Sequence, residues 1–247
     1  MKIALVTDIH ANREAMTAVL LHAHAQPVDR FAFLGDFVGY GADPGWVVDE
    51  VRRYAARGAV VVVGNHDAAA IRGPSPSMRP GPREAIEWTR QQLTIEQLDY
   101  LGALPYSVQE DDRLYVHANA YAPAEWGYII ARDDAVRSLQ ATAARYTFCG
   151  HVHEPRLYHL SSTGKTGEFT PTPEVPIPVP PHRQWLALPG STGQPRDGNP
   201  AACYATFDTV KALLTFHRVP YDHDAAAAKI RAAGLPEFFA SRLVDGH

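Results

Sequence analysis

The sequence of 247 residues contains only two cysteines and no long hydrophobic run. Two cysteines cannot form the disulfide framework of a small secreted domain, which favours a reducing compartment. The longest branched apolar run, residues 59–63, is far shorter than the about 20 residues that a membrane-spanning helix needs. Asp8 interrupts the first apolar stretch before the core of a signal peptide could form. We therefore expect a cytoplasmic protein that does not associate with membranes.

The chain also lacks a large excess of charge of either sign. Its 23 Lys and Arg residues and 27 Asp and Glu residues give a formal net charge of −4. Proteins that coat nucleic acid are strongly basic, so this balance disfavours long nucleic acid as a partner. Hydrophobic residues make up 46% of the sequence, which excludes a disordered chain. The unusual residue type is histidine, which occurs 12 times.

The first part of the sequence alternates apolar runs with stretches of helix-forming residues. The runs at 2–7, 30–35 and 59–64 are nearly continuous, as in strands that are buried on both faces. The stretches between them, at 12–26 and 44–57, favour helices. This alternation predicts βαβ units and a parallel sheet. A longer helical stretch follows at 82–104, and a second helix-start signal at Thr94 divides it.

Strands follow one another more closely in the second half. They are predicted at 113–117, 145–150, 184–188, 203–208 and 213–219, with helices near 132–144 and 222–234. This order favours a mixed or antiparallel sheet. Six prolines within residues 171–181 predict an extended segment. We interpret it as an ordered loop or flap at about 165–183 inside a single domain of residues 1–247.

Residues that commonly bind metals follow five of the predicted strands. Ligands of open α/β sheets bind at the carboxyl ends of strands, where the loops converge. Alone, Asp8 or Asp36 would be interpreted as a turn or helix cap, and His117 as a core residue. The ordered set Asp-x-His, Gly-Asp, Gly-Asn-His-Asp, His and Gly-His-x-His exceeds what chance or structure would produce. The residues concerned are Asp8, His10, Asp36, Asn65, His66, Asp67, His117, His151 and His153.

In these motifs the sequence resembles the calcineurin-like metallophosphoesterases over residues 3–219. The segments 8–12, 35–41 and 189–196 are similar to the small bacterial and archaeal branch of that family. The resemblance implies a mixed α/β fold, a four-layer α-β-β-α sandwich of two mixed β-sheets flanked by helices. This expectation agrees with the strands inferred above from the apolar runs.

The resemblance also implies a pair of metal ions. Imidazole, carboxylate and amide ligands without a thiolate suit two divalent transition metals, with Mn²⁺ favoured and Fe, Zn²⁺ or Ni²⁺ as alternatives. Cys149 lies next to the last motif, and we expect it to be a core residue. One metal would bind Asp8, His10, Asp36 and His153, and the other would bind the bridging Asp36, Asn65, His117 and His151.

Four further residues are candidates for catalysis and substrate binding. By the resemblance, His66 is not a ligand but protonates the leaving oxygen of the substrate or stabilises the developing charge. Asp67 could orient the His66 imidazole and raise its pKa, or it could cap a helix. Asn12 and Arg196 could bind phosphate oxygens, or they could have ordinary turn and surface roles. Among the aromatic residues, Tyr40, Tyr121 and Trp126 could line the rim of the pocket.

The implied function is metal-dependent hydrolysis of phosphate mono- or diesters of small molecules or nucleotides, through a hydroxide that bridges the two metals. A phosphoprotein phosphatase is an alternative, but 39–41 reads Gly-Tyr-Gly where those enzymes have Asp-Arg-Gly. A non-catalytic metal-binding scaffold of the same fold is another, although such a scaffold would be expected to lose His66 or a ligand. A nuclease is a third alternative, which the net charge of −4 disfavours.

Overall fold

The computed structural model describes residues 1–76 and 78–247. These residues form two six-stranded β-sheets and eight α-helices. None of the helices within this part of the chain is both long enough and apolar enough to cross a membrane. In chain order the elements are β1 (Lys2–Val6), α1 (Arg13–Ala25), β2 (Arg30–Phe33), α2 (Pro44–Ala55), β3 (Val60–Val61), α3 (Asn65–Arg72), α4 (Pro80–Gln92), α5 (Ile95–Gly102), β4 (Ser107–Glu110), β5 (Arg113–Val116), α6 (Arg132–Gln140), β6 (Tyr146–Phe148), β7 (Pro155–Ser161), β8 (Thr166–Phe169), β9 (Ile177–Pro178), β10 (Arg183–Pro189), β11 (Ala202–Asp208), β12 (Leu213–Val219), α7 (His223–Ala232) and α8 (Glu237–Asp245).

Both sheets mix parallel and antiparallel pairs. The first has the order β3-β2-β1-β11-β12-β9, and the second has the order β4-β5-β6-β10-β7-β8. The strands β1, β2 and β3 are parallel, which confirms the prediction from their alternation with helices. In the second sheet β5, β6 and β10 are parallel, and the remaining pairs are antiparallel.

The two sheets pack face to face, and side chains alternate between the inner and outer core. Ile3 and Leu5 of β1 point into the core between the sheets, whereas Ala4 and Val6 pack with the helices outside the first sheet. Helix α6 covers the outer face of the second sheet. The predicted α-β-β-α sandwich is therefore confirmed. The inner core takes side chains from both sheets.

Local capping signals account for several helix boundaries. The predicted second start at Thr94 is confirmed, because its Oγ accepts a hydrogen bond from the Gln97 N–H and begins α5. The Asp222 carboxylate accepts the Ala225 N–H in the same way at the start of α7. Helix α3 begins at Asn65, directly after the Gly64 that precedes it as its N-cap residue.

The proline-rich segment contains two short edge strands where the sequence predicted a loop or flap at about 165–183. Strand β8 pairs with β7 at the edge of the second sheet, and β9 pairs with β12 at the edge of the first. Pro178 is tolerated in β9 because an edge strand leaves one side of its backbone unpaired. The next residue, Val179, donates its N–H to Ala212 and is buried between the sheets.

Candidate metal centre and active-site cleft

The candidate metal ligands follow the carboxyl ends of β1, β2, β3, β5 and β6, with Asn65 as the first residue of α3 and the others in loops. Five of them adopt the left-handed backbone conformation, which costs a residue with a side chain about 1 to 2 kcal/mol. Such conformations persist where the surrounding structure enforces them, and they cluster at functional sites. The sharp turns direct these side chains into one buried space. The five residues and their φ angles are Asp8 (51°), His10 (50°), Asp36 (54°), His151 (70°) and His153 (68°).

The first group of ligands consists of Asp8, His10 and His153. The Nε2 of His153 lies 3.3 Å from Asp8 Oδ1 and 3.1 Å from His10 Nε2. Each Nδ1–H donates to a backbone carbonyl, that of Val38 for His10 and that of Gln194 for His153. Burial lowers the pKa of both imidazoles, so they are neutral and their Nε2 lone pairs face each other. Two such lone pairs repel unless a cation lies between them, so this donor set fits a metal ion.

The second group consists of Asp36, Asn65, His117 and His151. The Nε2 of His117 lies 3.4 Å from Asp36 Oδ2 and 3.2 Å from Asn65 Oδ1, and its Nδ1–H donates to the Leu34 carbonyl. Burial alone would lower the pKa of His117, but the Asp36 carboxylate raises it to about 9. The raised pKa means that the Asp36 carboxylate favours a positive charge beside it, and a metal cation would be favoured there for the same reason.

His151 presents its other nitrogen to the second group. Its Nε2–H donates to the Trp126 carbonyl at 2.9 Å, so Nδ1 is the nitrogen left to bind a metal. The ligand atoms of Asp36, His117 and His151 lie within 4.8 Å of one another. The Tyr128 ring stacks on His151 with ring centroids 4.0 Å apart, which fixes the orientation of the imidazole.

Asp36 lies between the two groups. Its Oδ1 accepts the His66 N–H at 2.8 Å. Its Oδ2 faces both sides, 3.8 Å from His10 Nε2 and 3.4 Å from His117 Nε2. Burial opposes ionisation, but His117 and His66 lower the pKa of Asp36 well below its usual value. A single ionised oxygen therefore faces both ligand groups, which is the arrangement that a bridging carboxylate requires.

His66 lies in the first turn of α3, beside both groups. Its ring centroid is 4.4 Å from that of Tyr40 and 5.0 Å from that of His10. Its Nδ1 is buried without a hydrogen-bond partner among the described residues. A Cβ on Gly39 would lie 2.5 Å from this Nδ1, so the glycine is what leaves room for the ring in this position. The other ring nitrogen, Nε2, does not face Gly39. A ligand atom of His66 also lies within 4.8 Å of those of His10 and Asp36.

Asp67 does not have the role in orienting His66 that the sequence suggested. Its Oδ2 accepts the N–H groups of Asp36 and Gly64, and its Oδ1 accepts those of Phe37 and Val38. The two side chains diverge because successive residues of a helix point about 100° apart. Burial lowers the pKa of His66 to about 4, so the expected rise is wrong. Burial raises the pKa of Asp67 to about 7, against the lowering by these N–H donors.

The two predicted substrate-binding residues have different surroundings. Asn12 is buried: its Oδ1 accepts the Ala15 N–H at the start of α1, and its Nδ2 donates to the Gly193 carbonyl. Because these bonds occupy the Asn12 side chain within the protein, Asn12 has the turn role that was the alternative to phosphate binding. Arg196 instead lines a cleft beside Tyr40 and His66. Its Nη2 donates to Gln194 Oε1 at 2.9 Å, which holds the guanidinium in place.

The cleft above His66 has a volume of 650 Å³, and a second recess of 730 Å³ adjoins the other ligand group. Tyr40 lines the cleft and Trp126 lines the recess, as expected of rim aromatics. Tyr121 does not, because its ring packs against the Arg137 guanidinium. Cys149 is buried in the core outside the second sheet, as predicted. Among the residues that line the cleft but were not predicted from the sequence are Arg79, Tyr128 and Arg242, none of which lies in a motif.

Comparison with known proteins gives concordant matches. Residues 1–212 match the family model for the calcineurin-like phosphoesterase superfamily domain. An uncharacterised protein of Methanocaldococcus jannaschii is 33% identical, over 99% of this chain and 98% of its own length. A crystal structure of a metallophosphoesterase from Sphaerobacter thermophilus has a TM-score of 0.88 and 36% identity, covering 100% of this chain and 99% of that one. A hypothetical protein from Pyrococcus horikoshii shares the fold with a TM-score of 0.77 and 19% identity, covering 100% and 98%.

Proposed function

The chain belongs to the calcineurin-like phosphoesterase superfamily, and from this membership and the site geometry we propose that it hydrolyses phosphate mono- or diesters of small molecules or nucleotides. The observation that carries the proposal is that Asp36 Oδ2 lies between the two groups of candidate ligands. His66, which is not needed to complete either group, lies beside both of them. A purely structural metal site would not need such a residue.

Two divalent transition-metal ions, with Mn²⁺ favoured, would complete this site. Asp8, His10 and His153 would hold one, Asn65, His117 and His151 the other, and Asp36 both. When bound, the ions would supply Lewis acidity toward the phosphate oxygens and toward an attacking water. The fit rests on the hydrogen bonds of the imidazoles, which leave one nitrogen of each ligand histidine directed into the site.

His66 would transfer a proton to the leaving oxygen. Its pKa of about 4 in the protein alone reflects burial, and the negative charge of a bound phosphate would raise it. With Nδ1 against Gly39, Nε2 is the nitrogen available to the substrate. Arg196, held by Gln194, would bind an oxygen of the phosphate that is cleaved. Asp67 contributes by fixing the loop that carries Asp36.

The proposal is tested with a panel of substrates and added Mn²⁺. The panel contains a nitrophenyl phosphate monoester, a nitrophenyl diester, a dinucleoside polyphosphate and a phosphopeptide. We expect hydrolysis of small esters that stops when EDTA removes the metal, and little hydrolysis of the phosphopeptide. Full activity in excess EDTA without bound metal would contradict the metal-dependent mechanism. If none of the four substrates is hydrolysed, the alternative of a non-catalytic metal-binding scaffold is favoured.

A further inference from the structure

Three arginines of separate elements line the cleft above His66. Arg79 precedes α4, Arg196 follows β10, and Arg242 lies in α8. Within the described part of the chain, the lining of this cleft contains no Asp or Glu. Arg79 and Arg242 also form no ion pair or side-chain hydrogen bond with any described residue. The cleft is therefore positively charged without compensation from its own walls.

Two acidic residues close in sequence to Arg196 and Arg242 are paired elsewhere. Asp197, which follows Arg196, forms an ion pair with Arg218, and Glu237 at the start of α8 forms one with Arg231. Burial lowers the pKa of Arg242, and repulsion from Arg196 and Arg79 lowers it further. Like charges that are held together without a partner destabilise the free protein, and an anionic ligand would relieve that repulsion.

Arg242 is also held in place. Its guanidinium carbon lies 5.5 Å from the centre of the Phe238 ring, one turn earlier in α8. Phe238 in turn packs against Gly81 of α4, where an added Cβ would come within 2.6 Å of the ring. The close contact between α4 and α8 therefore places Arg242 beside Arg79, which lies immediately before α4.

The arginines lie on two different sides of the cleft. The Arg196 N–H donates to the His153 carbonyl at 3.3 Å, and its guanidinium carbon lies 5.7 Å from the centre of the Tyr40 ring, which packs against His66, so Arg196 is the arginine beside the ligand groups. Arg79 and Arg242 line the same cleft from the side of α4 and α8. A single phosphate that would bind two metal cations and Arg196 would not require two further guanidinium groups.

We propose that Arg79 and Arg242 bind a second phosphate of the substrate, carried by its leaving group. We place the leaving group on this side because His66, the proposed proton donor to the leaving oxygen, lines the same cleft. The inference rests on the proposed function and narrows its substrate class to phosphate esters or anhydrides with a second phosphate. For ADP, water adds to the terminal phosphorus and the bond to the bridging oxygen breaks. AMP, orthophosphate and one proton are released, which balances the atoms and the charge.

The test compares AMP with ADP as substrates of the Mn²⁺-loaded protein. Guanidinium–phosphate hydrogen bonds contribute about 10- to 100-fold in affinity, and AMP is a better leaving group than adenosine, so kcat/KM should favour ADP by at least that factor. The double variant Arg79→Met/Arg242→Met should lose the part of this preference that comes from binding, about 10- to 100-fold, chiefly through KM. Arg242→Lys, which keeps the charge, should retain part of it. Arg57→Met is the matched control, because Arg57 is exposed at the amino end of β3, opposite the site.

A binding measurement separates this inference from the proposed function. Titration calorimetry of the Mn²⁺-loaded protein with inorganic pyrophosphate and with orthophosphate needs no turnover. We expect pyrophosphate to bind about 10- to 100-fold more tightly than orthophosphate, and the double variant to lose that difference. Equal binding of the two anions by the parent protein overturns the inference, as does a double variant that keeps the difference. If no ester is hydrolysed but the difference is present, the proposed function fails and the anion site stands.

Discussion

At the scale of single residues, the site depends on which polar atoms are already engaged. Each ligand histidine donates one ring N–H to a backbone carbonyl and thereby directs its other nitrogen into the site. The two carboxylate oxygens of Asp36 also have different partners: Oδ1 accepts the His66 N–H, and Oδ2 faces the ligand groups. His66 differs, because its buried Nδ1 has no partner in the described structure. An imidazole without a fixed partner can exchange a proton with a substrate, whereas the ligand histidines are committed to one tautomer.

Replacing His66 by Gln should preserve the bound metal and the fold but lower turnover by about 10²- to 10⁴-fold, the contribution of a positioned proton donor. The loss should be smaller for nitrophenyl phosphate than for an alkyl phosphate, because nitrophenolate leaves without protonation. Kinetics on both substrates, together with metal analysis, provide the check. Loss of metal from the variant would instead make His66 a ligand, and parent rates on both substrates would place the acid elsewhere.

Replacing Asp67 by Asn should mainly destabilise the fold. The amide NH₂ would face backbone N–H donors that the carboxylate now accepts, and the free energy of unfolding should fall by at least about 2 kcal/mol. Urea denaturation measures this loss. Asp49→Asn serves as the control, since Asp49 is exposed and its removal should change stability by less than about 1 kcal/mol. A drop in turnover at unchanged stability would show that Asp67 acts on His66 after all.

At the scale of elements, the loops after the strands were the most predictable part of the site. The motifs after β1, β2, β3 and β6 contain all the candidate ligands except His117, and parallel strands bring their carboxyl ends together. The elements without an apolar run were missed. Strand β7 begins with a proline and carries Arg156 and His159, and β4 has only one apolar residue, Val108, in its four positions. Neither offers the continuous hydrophobic signal from which a strand is inferred.

The loop between β2 and α2 provides an element-level prediction. Gly39→Ala should displace His66, because the new Cβ would lie 2.5 Å from its Nδ1, and such a displacement should lower turnover by about 10²-fold. Gly58→Ala is the control: it has the same positive φ but nothing within 4 Å. Both variants should lose about 1 to 2 kcal/mol of stability from backbone strain. Equal turnover in the two variants would mean that Gly39 serves the turn alone.

At the scale of the whole molecule, two sheets and the C-terminal helix converge on one cleft. The predicted ligands follow five strands that belong to both sheets, and the fold brings them together around Asp36. The outer wall of the cleft could not be predicted, because Arg79, Tyr128 and Arg242 belong to no motif and meet only in the folded chain. Sequence also could not decide between Asn12 as a cap and as a phosphate ligand, since the answer depends on its hydrogen bonds to Ala15 and Gly193.

The most direct test of a two-ion centre bridged by Asp36 is calorimetric titration of Mn²⁺ into the metal-free parent protein and two variants. The parent should bind two ions per chain. Asp36→Asn should weaken both sites, since Oδ2 faces both ligand groups, whereas His153→Ala should weaken only the site that it shares with Asp8 and His10. Two intact, tight sites in the Asp36→Asn protein would contradict this account of the centre.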